Sequence, residues 1–243
     1  MMPDLDPVFA LAAATVLLAA IARGFAGFGS AMIMSPALAL LYDPLTAVLV
    51  LHVLETLGLF PLLPQAVRDA DRKVVFPLAI AAAAAIPLGV GLLVSLDQDL
   101  LRRGIGLIVL IFVIILAANW RYRGSLGVGP SVGLGALAGT LGGATGVTGP
   151  PVILYLMAGP FPPHKIRANI TGFFAVSTTV LWIAYLVGGV FTADIVLKAL
   201  WLLPVYLTGL IIGTRLFGQV SEPLFRRLAL VLLTGIAITA IVA

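Results

Sequence analysis

Eight apolar runs occupy nearly the whole of this 243-residue chain, at roughly 7–42, 44–65, 74–96, 100–119, 127–159, 168–191, 194–218 and 224–243, with short polar punctuation between them. Six of the runs are about 20–25 residues long, which at about 1.5 Å per residue suits one helix each across a hydrocarbon core of about 30 Å. Composition agrees, since 61% of the residues are hydrophobic and 10% are charged, against about 25% charged in a soluble domain. Only a chain with lipid for solvent exposes that much apolar surface. The expectation is an all-α polytopic membrane protein, multi-pass in the cell membrane.

The first and fifth runs stand apart. Each exceeds 30 residues and is interrupted by glycines, so a single straight crossing describes neither. Helix-start signals mark other boundaries: Asp43-Pro44, Asp97 and Asp99, Thr192 and Asp194, and Ser221-Glu222-Pro223 each precede a run. Pro162-Pro163 closes the fifth segment, while Pro77, Pro87 and Pro204 fall inside runs and predict local kinks. The N-terminus is acidic rather than basic and leads straight into the first run, so no separate signal peptide is expected.

Lysine and arginine set the orientation of such a chain. If all eight runs cross once, seven of these residues fall on one side and six on the other, which is no bias. If runs one and five instead enter, break at their glycines and return, the inner side holds Arg68, Arg72, Lys73, Arg121, Arg123, Lys165, Arg167, Arg215, Arg226 and Arg227. Only Arg102, Arg103 and Lys198 then remain outside. Ten against three is the asymmetry that the positive-inside rule expects. The halves of run one, about 7–22 and 29–42, can turn within the bilayer or reach its far face, and charge counting does not separate the two.

The chain also repeats itself. A slide of 115 places "GFAGFGSAMIMSP", from Gly24, over "GTLGGATGVTGPP", from Gly139, and further on Arg102-Arg103 matches Arg226-Arg227. This predicts two repeated halves, 1–123 and 124–243, each opened by a glycine-broken helical hairpin and followed by three transmembrane helices. Five embedded pieces per half is an odd number, so the second half is expected to be inverted relative to the first, a recurring transporter architecture.

A helix broken inside a membrane exposes N–H groups that protein, water or ligand must satisfy, and the following half-helix turns its positive dipole end toward an anion. The residues expected to hold a substrate there are Gly24, Gly27, Gly29 and Ser30 in the first element. In the second they are Gly142, Gly143, Thr145, Gly146 and Thr148. The alternative is close helix packing through small residues. Arg23, just before the first break, either lies at depth and needs an anionic partner or snorkels from the interface. His52 and Glu55 sit three apart on one face of a run, and Glu55 is the one acidic residue well inside any run. The pair reads either as a proton-coupling relay or as a structural hydrogen-bonded pair. Asn169 and Thr171 occupy the corresponding run of the second half. Trp120, Tyr122, Trp182, Tyr185, Trp201 and Tyr206 suggest interface belts or bundle packing.

Cysteine is absent, so thiol and disulfide chemistry are excluded, and neither metal nor cofactor is expected. The scattered basic residues give no basis for nucleic-acid binding. With the two glycine elements, "RANITGFF" at 167–174 and "SEPLFRRLALVLL" at 221–233 on the page, the chain resembles the sulfite exporter TauE/SafE family over essentially its whole length. The resemblance implies a plasma-membrane transporter, not an enzyme, that exports small anions such as sulfite or organosulfonates, with the glycine elements and Asn169 to Thr171 in its pathway and protons as a candidate coupling partner. The mechanism to expect is alternating access, with an oxyanion held by amide N–H groups and hydroxyls of the broken helices. Membrane lipid is the other partner, and oligomeric state stays open. A passive anion channel and a non-transporting membrane scaffold are the rival readings.

Overall fold

The structure is a computed structural model that describes residues 6–124, 126–216, 219 and 221–243. Asp4, in the acidic N-terminus, lies outside the described residues. The described chain is built of helices: α1 (Pro7–Ala26), α2 (Ser30–Leu41), α3 (Pro44–Leu59), α4 (Leu63–Asp69), α5 (Arg72–Ser95), α6 (Gln98–Ala117), α7 (Val128–Thr145), α8 (Gly149–Leu156), α9 (Pro163–Val187), α10 (Ala193–Leu216) and α11 (Glu222–Val242). A 3-10 turn at Phe60–Leu62 joins α3 to α4. Among the described residues, seven helical stretches are long and apolar enough to cross a membrane, while α2 is apolar but only 12 residues long. The protein is therefore an all-α polytopic membrane protein.

The helices start where the chemistry of their first turns says they should. The Asp43 carboxylate accepts from the Thr46 N–H at 2.9 Å, Asp97 from Asp99 and Leu100 at 2.9 and 3.2 Å, and the Thr192 hydroxyl from Ile195 at 3.3 Å. Each removes one of the orphan donors at a helix N-terminus. Ser221 precedes α11 as expected, but its hydroxyl makes no capping bond. Helices α5 and α10 run on through Pro77, Pro87 and Pro204.

The chain gathers into two compact units, one of Met1–Leu54, Leu96–Asn119 and Thr192–Ala243, the other of Glu55–Ser95 and Trp120–Phe191. In the first, α1 and α10 lie side by side and run the same way, with Leu17 and Ala20 against Gly209 and Ile21 and Gly24 against Gly213. A Cβ on Gly24 would lie 2.4 Å from the Leu210 carbonyl oxygen and one on Gly213 2.2 Å from that of Ile21, so only glycine admits this approach. Helices α6 and α11 of the same unit pack in opposite directions, with Gly106 against Ala237 and Ala240 at one end and the Arg226 guanidinium donating to the Leu116 carbonyl at the other.

The second unit repeats the α1–α10 arrangement with α5 and α7. Gly135 meets Leu78, Gly139 meets Ala82, and Gly143 meets Ile86 and Gly89, again in parallel and again at distances that exclude a Cβ. Val75, Leu78, Ala79, Ala82, Ala138, Val152, Tyr155, Leu156 and Phe173 form its buried core.

The two helix breaks lie at a different spacing from the slide of 115 that matches the glycine elements in the sequence. The left-handed glycine that ends α1 is Gly27 and the one that ends α7 is Gly146, 119 positions later; α2 and α8 begin at Ser30 and Gly149, again 119 apart. The slide of 115 paired Gly27 with Gly142, which lies inside α7. The two spacings differ by about one helical turn, and glycines recur along α7 at Gly135, Gly139, Gly142, Gly143 and Gly146, so a four-residue slip still matches glycine to glycine.

Candidate functional site

At the first break Gly27 (φ 81°) and Gly29 (φ 99°) both hold left-handed backbone, and no heavy atom lies within 4 Å of where their Cβ would be. These two are glycine for conformation, not for packing. The Gly27 N–H closes α1 by donating to the Arg23 carbonyl at 2.7 Å. Gly29 is the N-cap of α2, so the N–H groups of Gly29, Ser30, Ala31 and Met32 have no carbonyl within α2 to bond. Ser30 is buried at the first position of α2, directly after the N-cap Gly29. Gly24, by contrast, is spent on the approach of α1 to α10. Arg23 is half-buried in the last turn of α1.

At the second break Gly146 (φ 73°) closes α7 by donating to the Gly142 carbonyl at 2.9 Å. The Thr145 hydroxyl donates to the Leu141 carbonyl at 2.7 Å and accepts from the Val147 N–H at 3.2 Å, so it stiffens the turn. Thr148 is folded back onto Gly142, where a Cβ would sit 2.2 Å from the threonine Oγ1. Gly143 faces α5. Helix α8 begins Gly149-Pro150-Pro151-Val152, and two of those four residues have no N–H to offer. The two breaks share a left-handed glycine that closes the first helix, but the residue that opens the next helix is left-handed at Gly29 and right-handed at Thr148, and two of the first residues of α8 are prolines without an N–H.

The ends of α2 and α8 each meet residues near the start of the helix before them. Tyr42, which ends α2, has its phenol pKa raised by burial and further by the nearby Asp6 and Asp194 carboxylates, and Lys198 Nζ stands 5.2 Å from its ring. Asp6 caps α1, accepting from the Phe9 N–H at 2.7 Å, and Asp194 is in the first turn of α10. In the second unit Tyr155, near the end of α8, meets the start of α7: its Oη lies 2.7 Å from Ser131 Oγ, accepts from the Gly127 N–H at 3.2 Å and donates to the Gly127 carbonyl at 3.3 Å.

His52 and Glu55 stand a turn apart on α3, His52 buried and Glu55 half-buried. Thr56, next to Glu55, accepts from Trp182 Nε1 of α9 at 3.0 Å. Asn169 and Thr171 are both buried on α9, but two residues apart they point to opposite faces. Asn169 turns to the corner between α4 and α5, where its Oδ1 accepts from the Asp71 N–H at 2.6 Å and Lys165 pairs with the Asp71 carboxylate at 3.5 Å. That bond fixes the amide, leaving a buried Nδ2 with no protein partner. Thr171 is one turn from Phe174, whose ring touches the position a Gly149 Cβ would take at the start of α8.

Two residues join these elements without having been singled out for it in the sequence. Tyr185, fully buried, donates from its phenol to the Gly143 carbonyl at 3.3 Å. It is bundle packing rather than an interface belt, and its spacing of fourteen from Thr171 puts both on one face of α9. Asp71 fastens α9 through its backbone N–H to Asn169 and its carboxylate to Lys165. Trp120 and Trp201 are exposed, as residues of an interface belt would be.

The family model described as sulfite exporter TauE/SafE matches residues 12–240. No curated protein and no solved structure gives a match.

Proposed function

The chain belongs to the sulfite exporter TauE/SafE family, and from that premise we propose that it moves small oxyanions, of the class of sulfite and organosulfonates, out of the cell by alternating access. The observation that supports this is the pair of breaks, each with a left-handed glycine and each followed by a helix whose first-turn N–H groups have no carbonyl within that helix, in a chain of membrane-spanning helices. Oriented amides favour an anion because they supply positive potential without a mobile counter-charge.

We read residues 1–123 and 124–243 as inverted repeats. In support, each half supplies a broken pair followed by longer helices, and the parallel pairs α1–α10 and α5–α7 each join one helix from either half. The last helices of the halves, α6 and α11, pack antiparallel. The return of α2 to the Asp6 end of α1, and of α8 to the Ser131 end of α7, supports the hairpin form of both openings. In this reading Gly27, Gly29, Ser30, Gly146 and Thr148 shape the anion sites, Gly24, Gly142 and Gly143 let their helices close up, and Thr171 lines the second site. Asn169 contributes its reserved amide donor. His52 and Glu55 exchange the coupling proton, and Arg23 supplies positive charge beside the first break.

The test is purified protein in liposomes, following sulfite uptake and internal pH together. Saturable sulfite flux that an imposed proton gradient accelerates, with the acceleration lost in Glu55→Gln at equal protein, is the expected result. Flux that is linear in sulfite and indifferent to the gradient would make the protein a passive channel. No flux of sulfite or any small sulfonate from folded protein would end the transport reading.

A further inference from the structure

Among the described residues, the first unit has a cavity of about 380 Å³ where α6 ends and α11 begins, lined by Ala117, Pro223, Arg226, Arg227, Leu230 and Val231. Its position is informative. Ala117 is the last residue of one candidate membrane span and Pro223 the first of another, so the cavity sits where both helices leave the hydrocarbon. Its two ends differ in chemistry. Arg226 and Arg227 form one, with no acidic residue among the lining, and Leu230 and the exposed Val231 continue from it one turn deeper along α11.

The arginines are not idle surface charge. The Arg226 guanidinium donates to the Leu116 carbonyl at the end of α6, which holds it over the cavity mouth while leaving its remaining N–H groups for another acceptor. Arg227, the next residue along α11, also lines the cavity. Two guanidiniums facing an acceptor are matched to the geometry of a phosphate, and the apolar side chains below them are matched to an acyl chain. A water-soluble phosphate would leave that apolar wall unused. Both residues also belong to the face on which the sequence concentrates Lys and Arg, the cytoplasmic one by the positive-inside rule, where anionic lipids lie.

We propose that this cavity is a binding site for one anionic phospholipid of the inner leaflet, with its phosphate on Arg226 and Arg227 and an acyl chain along Leu230 and Val231. The lipid fastens the end of α6 to the start of α11. The site is separate from the glycine breaks and does not depend on which anion is carried.

The experiment uses the full chain purified in mild detergent, with native mass spectrometry after titration with phosphatidylglycerol or phosphatidylcholine of the same acyl chains. The wild type should retain one phosphatidylglycerol in preference to phosphatidylcholine. At about fivefold in affinity per arginine, Arg227→Gln should lose about fivefold of that preference and R226Q/R227Q most of it. Arg103→Gln, on α6 near its opposite end, should keep it. Because Arg226 also holds α6, the Arg227→Gln variant alone decides the case if the double variant fails to fold. Equal retention of the two lipids, or an equal loss in Arg103→Gln, would overturn the site. So would a chain that purifies as a dimer and becomes monomeric in Arg227→Gln with lipid retention unchanged, since the cavity would then be a protein interface.

Discussion

Glycine has two jobs at the breaks, and single substitutions separate them. At Gly24 the constraint is space, because the Leu210 carbonyl stands where a side chain would begin. Gly24→Leu should therefore lower the unfolding temperature in detergent, at a cost of about 1–3 kcal/mol or more from overpacking. At Gly27 there is room but the backbone is left-handed. Gly27→Ala should cost only about 1–2 kcal/mol, small enough for the protein to fold, and its effect should appear in transport. If Gly27→Ala instead unfolds the protein and Gly24→Leu leaves it untouched, the assignment is reversed. Asn169 is a third residue whose role is set by one bond. Asn169→Leu strands the Asp71 N–H, which should cost about 1–3 kcal/mol, read as a lower melting temperature, with a smaller loss in Asn169→Asp, which keeps an acceptor.

Among elements, α2 and α8 do the same thing with different donors. Proline is tolerated in a first helical turn, so Ala31→Pro would make α2 resemble α8 by removing one N–H and little else. A bond from an amide to a charged acceptor is worth about 1.5–3 kcal/mol, so the KM for the transported anion should rise about tenfold or more while the amount of folded protein holds. An unchanged KM would take α2 out of the binding site. Helix α8 is only eight residues long and relies on its far end for placement. Tyr155→Phe keeps the buried ring but loses the bonds to Ser131 and Gly127. It should destabilise the protein by about 1–2 kcal/mol, measurable as a shift in thermal unfolding.

On the scale of the whole molecule the absence of cysteine makes topology directly testable. Single cysteines placed by Tyr42→Cys and Lys198→Cys should react with an impermeant reagent from one face of the membrane and Arg227→Cys from the other; labelling of Tyr42→Cys from the Arg227 face would contradict the hairpin form of α1 and α2. The sequence by itself determined that the chain is a helical membrane protein, because run length and charge content leave lipid as the only workable solvent. It also located both breaks to within a turn, because glycines interrupting an apolar run have a backbone consequence wherever they occur. Local chemistry was equally legible: Asp43 and Asp97 cap their helices through bonds that span only a few residues. What the sequence left open was decided by contacts between residues far apart in the chain. Nothing local distinguishes Gly24, which must admit another backbone, from Gly27, which must adopt a positive φ. Glycines spaced by one helical turn along α7 left open which of them ends the helix, and that is Gly146. Asp71 became the partner of Asn169 across 98 positions, and Tyr185 became the donor to Gly143, only when tertiary packing brought their helices together. A membrane sequence of small and apolar residues encodes where helices can lie through composition, and which ones meet only through the fit of their surfaces.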